Sequence, residues 1–183
     1  MVVKTALPLA EATRIADAVV ADLEPHCERV AVAGSLRRQK AEVGDIELVA
    51  IPSMVSGGLF STERINALST HLQTSDAYRF LKGDRADARM HQLSLVTHEG
   101  LQLDLFLAQP DNWGWIYLLR TGSADFSQRI LTLWKKRHGL WHEPGSVDGR
   151  LVTRGGHPVV TPDEETIFTM LGIPFVAPEQ RHA

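Results

Sequence analysis

Gly34-Ser35-Leu36-Arg37-Arg38-Gln39-Lys40-Ala41-Glu42-Val43-Gly44-Asp45-Ile46-Glu47 is the stretch on which the reading of this chain turns. It joins a small-residue turn, an arginine pair and two carboxylates one residue apart. A strand places residues i and i+2 on one face, so a strand over residues 45–51 would point Asp45 and Glu47 the same way. Asp104, inside Leu103-Asp104-Leu105-Phe106, supplies a third carboxylate from a second strand. Carboxylates that converge repel one another unless cations lie between them. Oxygen-only donors of this kind suit magnesium, which keeps waters and substrate phosphates in its shell. Two ions about 3.5–4 Å apart would serve both the entering and the leaving oxygen of an in-line displacement. The expected metals are therefore two Mg²⁺ ions, with Mn²⁺ as a substitute, on Asp45, Glu47 and Asp104. A helical turn beginning near Ser35 would aim backbone N–H groups at an anion. Arg38, or Arg37, would then neutralise charge on a leaving pyrophosphate.

Upstream, Leu9, Ala12, Ile15, Ala16, Val19 and Leu23 keep helical spacing and predict a helix over residues 8–24. A strand over 28–33 stops at Gly34-Ser35. Downstream, residues 52–58 read as a loop and 61–72 as a helix. Residues 78–82, 91–97 and 101–107 read as strands, the last two joined by a turn at His98-Glu99-Gly100. Gln109-Pro110-Asp111-Asn112 marks a boundary between residues 1–109 and residues 110–183. Beyond it the period turns helical. Residues 113–119 and 124–137 read as helices on either side of Thr121-Gly122-Ser123, with Gly139 as a C-terminal cap. Residues 140–143 and 150–153 would pair as a hairpin. Thr161-Pro162-Asp163-Glu164 would start a last helix with Thr161 at the N-cap, ending at Gly172. Trp113, Trp115 and Trp134 read as packing residues. Strands before the boundary and mainly helices after it make the expected class α+β.

The 183 residues are enough for one medium domain or two small ones sharing a core. Net charge is −3 and is unevenly spread. Between Arg120 and Arg137 five basic residues face one acidic residue, Asp125, giving a local surplus of +4. An acidic catalytic half beside a basic segment suits a metal-dependent enzyme with a polyanionic substrate. No apolar run approaches the ~18 residues of a membrane span, and the N-terminus lacks a signal-peptide core, so a cytoplasmic location is expected. Cys27 is the single cysteine, which excludes an internal disulfide and argues against a cysteine zinc site. The eight histidines show no two-His metal spacing.

Four separated motifs, in order, resemble the family X DNA polymerases, the DNA polymerase beta-like nucleotidyltransferases. They are Gly34-Ser35-Leu36-Arg37-Arg38 with Val43-Gly44-Asp45-Ile46-Glu47; Leu103-Asp104-Leu105-Phe106; Thr121-Gly122-Ser123; and Thr161-Pro162, Phe168, Leu171-Gly172-Ile173-Pro174 with Pro178-Glu179-Gln180-Arg181. The resemblance runs from about Pro8 to Arg181 and implies a catalytic nucleotidyltransferase palm over residues 1–109, a mixed sheet with flanking helices, followed by a small helical and hairpin nucleotide- and DNA-binding subdomain over 110–183. It implies transfer of a nucleoside monophosphate from a dNTP to a DNA 3′-hydroxyl, in gapped, nicked or broken DNA, as in short-gap repair. It implies Asp45, Glu47 and Asp104 as catalytic metal ligands. It places Gly34, Ser35, Arg38, Gly44, Gly122 and Ser123 on the nucleotide, and Arg120, Ser127, Arg129, Lys135 and Lys136 toward DNA. A monomer is expected. A cis Gly122–Ser123 peptide is also implied. The lyase domain of larger members has no counterpart in this sequence, so lyase activity is not expected.

The departures are specific. Glu47 stands for the usual Asp. Leu119-Arg120 replaces an aromatic pair at the sugar, Ser127 an asparagine near the base, Leu131 an arginine near the template and Gln102 a basic residue. Ala6 stands where an arginine reaches the triphosphate, with Lys4 nearby as a substitute. A small nucleotidyltransferase that modifies protein, RNA or a small molecule, and a non-catalytic DNA-binding relative, are the alternatives.

Overall fold

A computed structural model describes residues 6–56, 63–81, 92–97, 100–138, 150–153 and 155–182. Its elements are β1 (Leu7–Pro8), α1 (Leu9–Leu23), β2 (Cys27–Val32), α2 (Gly34–Arg37), β3 (Glu42–Val43), β4 (Ile46–Pro52), β5 (Met54–Ser56), β6 (Arg64–Asn66), α3 (Ala67–Thr74), β7 (Tyr78–Phe80), β8 (Gln92–Thr97) and β9 (Gln102–Leu107). These are followed by α4 (Trp113–Thr121), α5 (Ala124–His138), β10 (Leu151–Val152), β11 (Pro158–Val159) and α6 (Glu164–Met170). The fold is α+β. Five strands form a mixed sheet in the order β2-β4-β9-β8-β7, in which β4 and β9 are parallel neighbours and the other pairs are antiparallel.

Side-chain alternation divides the sheet into two faces with different tasks. Ile46, Leu48 and Ala50 of β4, Leu103 and Leu105 of β9, and Leu93 and Leu95 of β8 share one face. They pack under α1, whose Ala12, Ile15, Ala16, Val19 and Leu23 are all buried in the same core. Leu68 and Leu72 of α3 complete that layer. The opposite face carries Glu47 and Asp104 at the entry of β4 and β9, then Val49, Ile51, Phe106 and Ala108. The apolar part of this face is covered by Trp113 of α4. Central strands buried on both faces read as near-continuous apolar runs, as Leu48–Ile51 does.

Helix α4 serves two cores. Trp113 seals the sheet, while Trp115 and Leu118 turn to a second cluster with Phe126, Ile130 and Trp134 of α5, Leu151 and Val159 of the β10–β11 hairpin, and Ile167, Phe168 and Leu171 near α6. The three tryptophans are 1%, 2% and 0% exposed, so all three are packing residues as expected. Gly114 lies so close to α6 that a Cβ there would stand 2.0 Å from the Asp163 carbonyl oxygen.

Several expected boundaries are corrected. Residues 52–58 are not simply a loop, because Met54–Ser56 pairs antiparallel with Arg64–Asn66, setting Val55 opposite Ile65. The following helix therefore starts only at Ala67, where the Asn66 side chain accepts the Ser69 N–H. Thr161 does not cap α6. It is buried and bonded to the start of α4, donating its N–H to Asp111 O and accepting from Gly114 N, both at 2.7 Å. Asp163 caps instead, accepting the Thr166 N–H. The helix does end before Gly172, at φ 57°. Leu151–Val152 pairs with Pro158–Val159, because the Gly155-Gly156 turn brings Thr153 N to His157 O. The expected partner strand over 140–143, the Gly139 cap, the His98-Glu99 part of the turn before β9 and Lys4 lie outside the described residues.

Among the described residues no helix is long and apolar enough to cross a membrane. Cys27 is a half-buried thiol, pushed up to about 12 by burial and so unreactive near neutral pH.

Candidate active site

Strand β2 ends at Val32, and the chain turns at Gly34 into the single turn α2. Two features favour glycine here. The backbone lies at φ 61°, and a Cβ would sit 1.9 Å from Oε2 of Glu47. The Glu47 carboxylate therefore rests against the turn, and the Ala33 N–H binds the Glu47 carbonyl at 2.8 Å. Gly44, also expected at the nucleotide, has open space where a Cβ would stand.

Register brings the second and third carboxylates together. Glu47 pairs with Asp104 across the parallel β4–β9 ladder. Asp104 is clasped from both sides: Ser94 Oγ donates to Oδ1 at 2.7 Å, and Gln102 Nε2 donates to Oδ2 at 3.1 Å. Asp45 sits in the bend before β4, so strand alternation does not fix its direction. It is nevertheless near enough to act on Glu47. Burial raises the Glu47 carboxyl to about 7, the negative charges of Asp45 and Asp104 add to the rise, and Arg120 and Arg38 oppose it. Among the described residues no three His, Cys, Asp or Glu side chains are placed to close around an ion. The donor chemistry still fits a hard divalent cation: oxygens only, two of the groups in register, and a carboxyl destabilised by its own neighbours.

The arginines have distinct surroundings. Arg38 is 9% exposed; one of its terminal nitrogens donates to the Thr121 carbonyl, and its buried Nε has no hydrogen-bond partner among the described residues. Arg37 lies 3.7 Å over the Tyr117 ring, donates to Thr121 Oγ1 at 2.7 Å and grips Glu164 with two bonds of 2.8 Å. Glu164 is 5% exposed and is held from the other side by Arg181, itself 0% exposed, at 2.5 and 3.1 Å. Burial alone would raise the Glu164 carboxyl. The bonds from Arg37 and Arg181 outweigh it and hold the group below its ordinary value. This Arg37–Glu164–Arg181 bridge ties the turn after β2 to the C-terminus. The sequence motifs contained all three residues without pairing them.

The C-terminal residues expected at the substrate have mostly structural partners. The Gly122–Ser123 peptide is trans, contrary to the cis form expected. In that form Gly122 N binds Leu118 O at 3.0 Å and Ser123 N binds Arg181 O at 3.1 Å, so both amides are satisfied without the ~3 kcal/mol that a cis non-proline bond costs. Gly122 leaves no room for a side chain, since a Cβ would approach Ser127 Oγ to 2.6 Å. Ser123 Oγ accepts the Phe126 N–H, in the manner of an N-cap. Ser127 Oγ donates to Leu119 O at 2.8 Å. Arg129 binds the His182 carbonyl at 2.9 Å, while Lys135 and Lys136 lie exposed on α5. Ser35 is half-buried in α2, and Arg120 lies 3.9 Å over the Phe106 ring.

The DNA polymerase beta thumb family model matches residues 116–182, which takes in most of α4, all of α5, the β10–β11 hairpin and α6. The match supports a family X polymerase-like relationship over this part of the chain; the Gly34–Glu47 stretch and Asp104 lie outside it. No curated protein matches the chain.

Proposed function

We propose that the protein is a nucleotidyltransferase of the DNA polymerase type, moving a nucleoside monophosphate from a dNTP to the 3′-hydroxyl of gapped, nicked or broken DNA. The observation that carries this is the pairing of Glu47 with Asp104 on parallel strands, beside a glycine turn with positive φ, next to a region similar to a polymerase thumb. Asp45, Glu47 and Asp104 would hold the divalent cations, which when bound neutralise the triphosphate and acidify the attacking hydroxyl. The chain's own residues do the positioning. Ser94 and Gln102 fix both oxygens of Asp104, so that carboxylate loses little rotamer freedom when it acts. The Arg38 Nε–H has no partner among the described residues, and a buried donor so placed gains most from an incoming phosphate oxygen. Arg37 is committed to Glu164 and serves the docking of the C-terminal elements, not the substrate. Lys135 and Lys136 on α5 supply exposed positive charge for a phosphate backbone.

The test is incorporation of a labelled dNTP into a one-nucleotide gap in the presence of Mg²⁺, comparing the wild type with Asp104→Asn. The amide keeps the size and the Ser94 contact while removing the charge. Loss of at least about 100-fold in rate, with unchanged circular dichroism, is expected for a metal-holding carboxylate. Undiminished incorporation would refute the assignment.

A further inference from the structure

The cation at position 120 lies over the carboxylate face of the sheet. Phe106 follows Asp104 by two residues on β9 and therefore shares its face, and its ladder partner is Val49, two residues beyond Glu47. The Arg120 guanidinium is stacked 3.9 Å above the Phe106 ring. A planar cation held on an aromatic face keeps its orientation. It stands within electrostatic reach of both Glu47 and Asp104, and Glu47 feels Arg38 as well. Arg120 remains exposed, so solvent and solutes can reach it. Three carboxylates thus share their surroundings with two arginines contributed by separate elements, α4 and the end of α2.

We propose that Arg120 couples the two ligands of this site, weakening the binding of a lone divalent cation and releasing that penalty when a nucleoside triphosphate enters. The proposal rests on the nucleotidyltransferase reading. A cation arriving alone meets the field of Arg120 on its way to Glu47 and Asp104. A triphosphate brings anionic oxygens that satisfy the guanidinium and the cation together. Linkage makes the effect reciprocal: the triphosphate strengthens cation binding by the same factor that the cation strengthens triphosphate binding. Arg120 is a positioning residue in this account, acting on the carboxylates through charge. Its cost is a weaker free-protein metal site, and its benefit is that metal and nucleotide assemble together.

Mn²⁺ binding, followed by electron paramagnetic resonance of the free ion, tests this without catalysis. Wild type, Arg120→Gln and Arg120→Lys are titrated alone and with a non-hydrolysable dNTP analogue, against the analogue by itself. Arg120→Gln is expected to tighten Mn²⁺ binding to the free protein by about tenfold, within the usual range of such couplings. The strengthening given by the analogue should shrink by the same factor, and Arg120→Lys, which keeps the charge but not the planar stack on Phe106, should fall between wild type and Arg120→Gln. Unchanged or weaker Mn²⁺ binding in Arg120→Gln would overturn the coupling and leave Arg120 as a packing residue on Phe106. Absence of Mn²⁺ binding by the wild type in both conditions would overturn the nucleotidyltransferase reading itself, and the coupling with it.

Discussion

Replacing Glu164 by Gln probes the joint between the sheet and the C-terminal elements. The Glu164 carboxylate receives four hydrogen bonds from two guanidiniums, Arg37 at 2.8 and 2.8 Å and Arg181 at 2.5 and 3.1 Å. Glutamine is isosteric, but it removes the charge and turns one acceptor into a donor facing donors. Removing one partner of a buried ion pair costs about 3–5 kcal/mol, because the remaining charge is left buried. Arg181 is 0% exposed and has nowhere to relax, whereas Arg37 at 19% can turn partly to water, so the lower end applies. A loss of about 3 kcal/mol corresponds to a fall in Tm of roughly 6–12 °C for a chain of this size. Urea unfolding at pH 7.5 measures it. The pH dependence supplies a second check. The folded carboxyl is held below its ordinary value of 4.5, so its contribution is complete above about 4.5 and is lost as pH falls through the folded value. The gap between wild type and variant should therefore close in acid. A loss under about 1 kcal/mol, or a gap that persists unchanged in acid, would refute the reasoning. Pairing the variant with Arg37→Ala should show coupling of at least about 0.5 kcal/mol, since the two share bonds.

At Glu47 the sign reverses. Its carboxyl is raised to about 7 by burial and by Asp45, so in EDTA the wild type should lose stability as pH rises from about 4.5 to 7. Glu47→Gln should match wild type near pH 4 and exceed it by about 2 kcal/mol at pH 8.5, a figure discounted for partial exposure. Adding Mg²⁺ should narrow that gap, and a Gln variant no more stable than wild type at pH 8.5 would contradict the burial argument. Reversing charge at Lys135 and Lys136 should weaken DNA binding about equally for all sequences. It should also lower the slope of log affinity against log salt by about 1–2. An unchanged slope would remove α5 from the interface.

Periodicity made the main elements legible. Helix α1 follows from Ala12, Ile15, Ala16, Val19 and Leu23, and the two central strands from apolar runs around Glu47 and Asp104. Glu47 and Asp104 were both singled out in the sequence, but the parallel β4–β9 ladder that sets them side by side joins distant segments that no local pattern pairs. Asp45 was misplaced onto the strand because a one-residue boundary decides whether alternation applies. Capping at Asp163 was missed because Thr161 fits the local motif equally well, and only the bonds to Asp111 and Gly114 divert it. The Arg37–Glu164 bridge spans 127 positions, and no local pattern marks such a pair. Sequence showed a helix start at Thr161-Pro162-Asp163-Glu164 and an arginine pair; the fold alone joined them. The Gly122–Ser123 peptide was inferred from resemblance, and local bonding to Leu118 and Arg181 favours trans.

Whether the protein extends DNA is decided by the fate of a labelled 3′ end in a one-nucleotide DNA gap, with Mg²⁺ and either dNTPs or rNTPs, alongside the same primer without template. The expected product is a primer one nucleotide longer with dNTPs, with one pyrophosphate released per addition, and both are lost in Asp104→Asn. A primer that stays its original length while the nucleotide label appears on protein or RNA would contradict the proposed DNA extension.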